Sequence, residues 1–120
     1  MKKSKWVWVY DPHSGGTAIP PGVQEETRKR ILAYAKKIAL PERYTLEIRF
    51  RSQFCYIDAY EAGEAVSMHL CRLRYFSGRK EWSLAFYTYS GEKYEPCAFP
   101  SGETCGAPEE ALEVVMVYFV

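Results

Sequence analysis

The spacing of apolar residues changes period several times along the chain, and each change predicts an element. Trp6-Val-Trp-Val-Tyr10 is aromatic and β-branched throughout and predicts a strand, closed by the breaker series Asp11-Pro12-His13-Ser14-Gly15-Gly16. After Pro20-Pro21, apolar-side positions recur at Val23, Thr27, Ile31, Tyr34, Ala35 and Ile38, the three-and-four spacing of a helix. Glu25 and Glu26 read as its first turn, Lys36 and Lys37 as its last, and Pro41 as its stop. Its other side pairs Glu25 with Lys29 and Glu26 with Arg30 at i,i+4, so the Arg28-Lys29-Arg30 run is expected to be a solvated helix surface.

From Tyr44 the period becomes two. Leu46, Ile48 and Phe50 alternate with Glu47, Arg49 and Arg51, and after a tight turn at Ser52-Gln53, Cys55, Ile57 and Ala59 alternate with Tyr56, Asp58 and Tyr60. Beyond a polar loop at Gly63, Met68 to Phe76 sets Cys71, Leu73 and Tyr75 against Arg72 and Arg74. Ser77-Gly78-Arg79-Lys80 then reads as a hairpin loop. Glu81 to Tyr89 sets Trp82, Leu84 and Phe86 against Ser83, Ala85, Tyr87 and Tyr89. These four segments predict consecutive antiparallel strands.

Residues 91–107 hold three glycines and two prolines and read as an ordered loop anchored by Tyr94 and Phe99. Pro108-Glu109-Glu110 is a helix start. Val114, Val115, Val117 and Val120 favour a strand thereafter, but the start signal decides for a helix over 111–120. The fold class expected is α+β: one domain over 1–120, with a mostly antiparallel sheet of about five strands and two helices packed on one face. The other face is left open.

The composition agrees with a folded domain, since 48% hydrophobic and 26% charged residues lie outside the disordered range. Sixteen basic against fifteen acidic residues leave a net charge of +1, so no bulk field draws the protein to nucleic acid or anionic lipid. The basic start Met1-Lys-Lys-Ser-Lys5 is followed by only five apolar residues before Asp11, too few for an export signal. The longest apolar run, Val114 to Val120, cannot span a bilayer. A cytoplasmic protein without a membrane partner is expected. Cys55, Cys71, Cys97 and Cys105 are then expected as reduced thiols, with Cys97 and Cys105 the pair most open to oxidation.

On the open face the alternation displays Arg49 and Arg51, then Tyr56 and Tyr60, then Arg72 and Arg74, then Tyr87 and Tyr89. Guanidinium pairs phosphate and aromatic rings stack bases, the pairing that binds single-stranded nucleic acid. Against that, Asp58 and Glu47 can neutralise the arginines across strands, the net charge is only +1, and no ribonucleoprotein motif is present. Tyr and Arg are also the residues that anchor protein interfaces.

Asp11-Pro12-His13-Ser14-Gly15-Gly16 lies between a strand and a helix, where backbone N–H groups can cradle an anion, making His13, Ser14, Gly15 and Gly16 a second, weaker binding candidate. The run is similar to the Asn-Pro-x-Ser-Gly-Gly nucleotide loop of diacylglycerol-kinase-like lipid kinases. Only six residues match, Asp11 replaces the Asn, and the loop continues about five residues before the helix, so the plainer reading is a turn-rich connector. His69 and Cys71, two apart on a strand, with Cys97 and Cys105 are zinc-type ligands in number. Their spacing matches no common zinc signature and they lie on the core side, so no metal and no cofactor are expected. Asp11, His13 and Ser14 are adjacent rather than convergent, so no catalytic residue is assigned.

Trp8-Val-Tyr-Asp-Pro-His-Ser-Gly-Gly16, Phe54-Cys-Tyr-Ile-Asp-Ala-Tyr60, His69-Leu-Cys-Arg-Leu-Arg-Tyr-Phe76 and Glu92-Lys-Tyr-Glu-Pro-Cys97 together resemble an uncharacterised family of small prokaryotic proteins. The resemblance implies no activity and no site. The expected function is a non-enzymatic binding module whose open sheet face and 91–107 loop contact a macromolecular partner, a protein before single-stranded nucleic acid. The alternative is a small enzyme or anion-binding protein using the Asp11–Gly16 loop.

Overall fold

The computed structural model describes residues 16–38, 44–64, 67–76 and 81–115. The expected strand at Trp6–Tyr10, residues 11–15 of the glycine loop, Pro41, the Ser77–Lys80 turn and residues 116–120 lie outside them. The elements run α1 (Pro21–Lys37), β1 (Tyr44–Arg51), β2 (Phe54–Glu61), β3 (Met68–Phe76), β4 (Glu81–Thr88), β5 (Lys93–Cys97), β6 (Cys105–Gly106) and α2 (Pro108–Val115). All described pairings are antiparallel: β1 to β5 stand in sequence order, and β6 pairs β4 beyond the end of β5. Both helices contact the sheet and each other, which gives the expected two-layer α+β domain.

The alternation in the sequence places the core where it was expected. Ile48, Cys55, Ile57, Ala59, Cys71, Leu73, Tyr75, Trp82 and Leu84 are buried with Ile31 and Ala35 of α1 and Ala111, Leu112 and Val115 of α2. Ser52 takes a φ of 55° in the two-residue β1–β2 turn, the positive value at the first central residue that lets tight hairpins follow strand twist.

Three local expectations are corrected. α1 begins at Pro21, so Glu25 and Glu26 fall in its second turn and its first turn holds no acid. The Arg28–Arg30 run is not a purely solvated surface. Arg28 donates from Nη1 to the Ile48 carbonyl at 2.8 Å and lies over the Phe50 ring, while Arg30 makes a bidentate pair with Glu109 of α2, both bonds at 2.7 Å. Guanidinium reach lets these side chains fasten the helix to β1 and to α2. The 91–107 stretch is not wholly loop, since it supplies β5 and β6. Pro96 is tolerated in β5 because, among the described residues, β5 pairs only with β4 and so leaves one side without ladder bonds. Phe99 does anchor the connection, 2% exposed. α2 is helical from Pro108, as expected, and Glu110 accepts the Ala107 N–H at 2.9 Å, half of a capping box.

Candidate functional site

The open face departs from simple alternation at one place, and that place organises it. Between β2 and β3 the register jumps: Ile57 faces Cys71, but Asp58 faces His69. Leu70 is the extra residue of a β-bulge and is itself fully buried in the core. The insertion reverses the parity of everything before it in β3. His69, expected on the core side with Cys71, stands on the open side next to Asp58. The zinc-type quartet is therefore not assembled, and among the described residues no group of three or more His, Cys, Asp or Glu side chains is placed to hold a metal.

Asp58 is the centre of the site, its side chain only 2% exposed. One oxygen, Oδ2, accepts from Arg49 Nε at 3.1 Å and Nη2 at 2.9 Å, and Oδ1 lies 3.1 Å from His69 Nδ1. Both partners reach solvent, at 45% for Arg49 and 39% for His69. The imidazole lies against Tyr87 at 4.9 Å between centroids, and the Tyr89 hydroxyl accepts the His69 N–H at 2.7 Å and donates to the His69 carbonyl at 3.3 Å. The β4–β5 turn thereby clips the bulge in place.

Around this triad the aromatic rings pack edge to face. Tyr87 meets Tyr89 at 4.7 Å and Tyr94 at 4.9 Å, and Tyr94 meets Tyr56 at 5.7 Å. Arg49 lies 4.8 Å over the Tyr56 ring. Burial, and after it the Asp58 carboxylate, push the Tyr94 phenol up against the opposing pull of Arg49 and Arg72, so it remains a protonated donor at neutral pH.

The candidate residues divide into two groups. Arg49, Arg51, Tyr56, Tyr60, Tyr87 and Tyr89 reach the surface wholly or in part, Tyr89 most of the aromatics at 51%. Arg72 and Arg74, expected to be displayed, are instead buried at 7% and 2%. Arg72 is flanked by Phe54 and Tyr94 rings at 4.1 and 4.8 Å. Arg74 donates to Ser83 Oγ at 3.2 Å, with the Phe76 ring 5.2 Å away. Rings that cover guanidinium planes exchange hydration for cation–π contact, so these arginines build the surface rather than project from it.

Gly16, at the end of the glycine loop, also packs on Arg74. It has a φ of 85°, and a Cβ there would stand 2.9 Å from Arg74 Cγ and 2.8 Å from the Tyr75 carbonyl. Close approach to β3 thus accounts for this glycine. His13, Ser14 and Gly15 lie outside the described residues.

His69 is the site member that alternation misplaced; Tyr94 was expected as a loop anchor rather than a site residue, and Phe54, on the side of Tyr56 by alternation, was not singled out. One signal was available: Leu70-Cys71 is an apolar doublet inside an alternating strand, and strict period two would have put Leu70 on the arginine side.

The opposite face offers less chemistry. All four cysteines are free thiols, with Cys105 opposite Ser83 and the other three on the helix side; burial pushes the Cys55 thiol up to about 12 and raises Cys71 and Cys97, which disfavours their thiolates. A groove of about 350 Å³ opens there beside Phe86, Pro96, Cys97 and Val114. No helix among the described residues is long and apolar enough to cross a membrane. Compared with protein-family models, curated proteins and solved structures, the chain matches none.

Proposed function

We propose that the protein is a cytoplasmic, non-enzymatic binding module that docks a protein partner on the half of the open sheet face formed by Arg49, Tyr56, Tyr60, His69, Tyr87, Tyr89 and Tyr94. The observation that carries this reading is the preorganised aromatic lattice: rings fixed against one another and against the Asp58 triad, yet still partly exposed. Rigid tyrosines lose little conformational entropy when a partner covers them, and Tyr and Arg are the commonest interface anchors.

A protein partner is favoured over single-stranded nucleic acid for two reasons. Arg72 and Arg74 are buried and withdrawn from any phosphate backbone. The rings also meet edge to face, which covers the flat surfaces that base stacking requires. The oriented Asp58–His69 pair has the geometry of a general base, but among the described residues the ring's hydrogen bond is with Asp58 alone and no nucleophile adjoins it.

The test is photocrosslinking in cells, with p-benzoylphenylalanine at Tyr60 or Tyr89 and at exposed Lys36 of α1 as control. The expected result is a discrete protein adduct at 60 and 89 that is absent at 36. Adducts to nucleic acid, or none specific to the face, would overturn the reading.

A further inference from the structure

Resting on that docking reading, the hydrogen-bonding state of the site indicates what kind of segment it receives. Asp58 is buried and both of its oxygens are already engaged, one by two bonds from Arg49 and the other by His69. The Tyr89 hydroxyl is likewise engaged by the His69 backbone. Glu47, directly across the strand pair from Asp58, is half-buried and is the other carboxylate on this side of β1 and β2. What faces outward at the centre is mostly donor capacity. A guanidinium has five N–H groups, and the Nε and Nη2 contacts to Asp58 leave the Nη1 edge of Arg49 directed elsewhere. Arg51, two residues along the same strand and on the same side, is exposed. The Tyr56 ring lies under Arg49, and Tyr94 packs against Tyr56.

We infer that the docked segment is acidic: a short stretch of a protein partner whose Asp or Glu carboxylate is received at the outer edge of Arg49, with Arg51 adding to the attraction, while a neighbouring apolar side chain rests on the tyrosine rings. Two observations converge on this. The exposed charges of the patch, Arg49 and Arg51, are cationic, whereas Asp58 is buried and Glu47 half-buried, and Arg49 lies over the Tyr56 ring at the edge of an aromatic floor that accepts apolar atoms. Arginine presents its donors in a fixed fork that matches a carboxylate, so the recognition is directional as well as electrostatic. Placing a carboxylate beside an Arg already bonded to Asp58 also divides one cation between two anions, which favours moderate, salt-sensitive affinity.

The experiment is selection of a displayed random twelve-residue peptide library on the immobilised full chain, with counter-selection on Tyr60→Glu, whose fold is checked by circular dichroism. Enrichment of Asp and Glu among face-dependent peptides supports the inference, provided that binding falls at least tenfold in Arg49→Glu. Because Arg49→Glu also disturbs Asp58, exposed Arg51→Glu serves as the second variant, with a loss of about threefold expected from surface electrostatics. Face-dependent peptides that are neutral or basic, or acidic peptides indifferent to both arginine variants, would overturn the inference while leaving the docking reading standing. Peptides that bind Tyr60→Glu as well as the parent protein would overturn both.

Discussion

The two faces of one sheet bury their residues by different means. On the helix side, Cys55, Ile57, Ala59 and Leu73 are covered by α1 and α2, and burial follows from removing apolar area from water. On the other side no described helix packs, yet Asp58, Arg72, Arg74 and Ser83 are buried too. There the cover comes from aromatic neighbours within the same layer and from the Gly16 segment, and charge is held by hydrogen bonds and ring faces. The first face is stabilised by volume and tolerates little change of shape. The second is stabilised by specific contacts at its edges, and its partners can return to water when a contact is removed.

That contrast can be tested by substitution on each side. Leu73→Ala, at a fully buried core position, should cost about 3–4 kcal/mol by urea unfolding, because a cavity under two helices cannot refill. A cost below about 1 kcal/mol would mean that the helices are only loosely seated. Gly16→Ala on the opposite side should cost about 2 kcal/mol: alanine disfavours the positive φ, and its methyl would meet the backbone of Tyr75 and the stem of Arg74. The same variant should lower amide protection in β3 by hydrogen exchange.

Asp58→Ala should cost less, about 1–2 kcal/mol, although the carboxylate is almost fully buried. Breaking a buried ion pair typically costs more, but here Arg49 and His69 are each more than one-third exposed and recover hydration. A loss of 3 kcal/mol or more would show that the open face is as closed energetically as the core. The His69 ring nitrogen shifts in an NMR spectrum should change in the same variant, since Asp58 orients Nδ1.

The smallest effect belongs to the helix pair itself. Glu109→Gln should cost under about 1 kcal/mol, because Arg30 and Glu109 are partly solvated and screened by salt. The bonds from Arg30 hold the Glu109 carboxyl below its ordinary 4.5, so the pair's contribution is complete above that pH and is lost as the pH falls through the lower, folded-state value. Unfolding curves of parent and variant should therefore converge in acid. A difference unchanged from pH 7 to pH 3 would contradict this.

How far the residues alone determine these features depends on whether the feature is local. Period two across Tyr44–Arg51 and Phe54–Tyr60, helical spacing after Pro21 and the Pro108-Glu-Glu start each arise from backbone geometry and side-chain patterning within a few residues. They determined the α+β class, the core side of β1, β2, β4 and of β3 beyond Leu70, and the candidates Arg49, Tyr56, Tyr87 and Tyr89. β5 was not legible because its short, proline-bearing run becomes a strand only by pairing with β4. The site's centre was not legible for a related reason. A single extra residue at Leu70 moves His69 across the sheet to Asp58, and whether a chain absorbs such an insertion depends on the register of its neighbour. The burial of Arg72 and Arg74 likewise required knowing that Phe54, Tyr94 and Gly16, distant in sequence, meet over β3. Patterning specified which side chains share a face, and only the tertiary structure decided which of them touch, because contacts across strands depend on register and on packing between segments far apart in the chain.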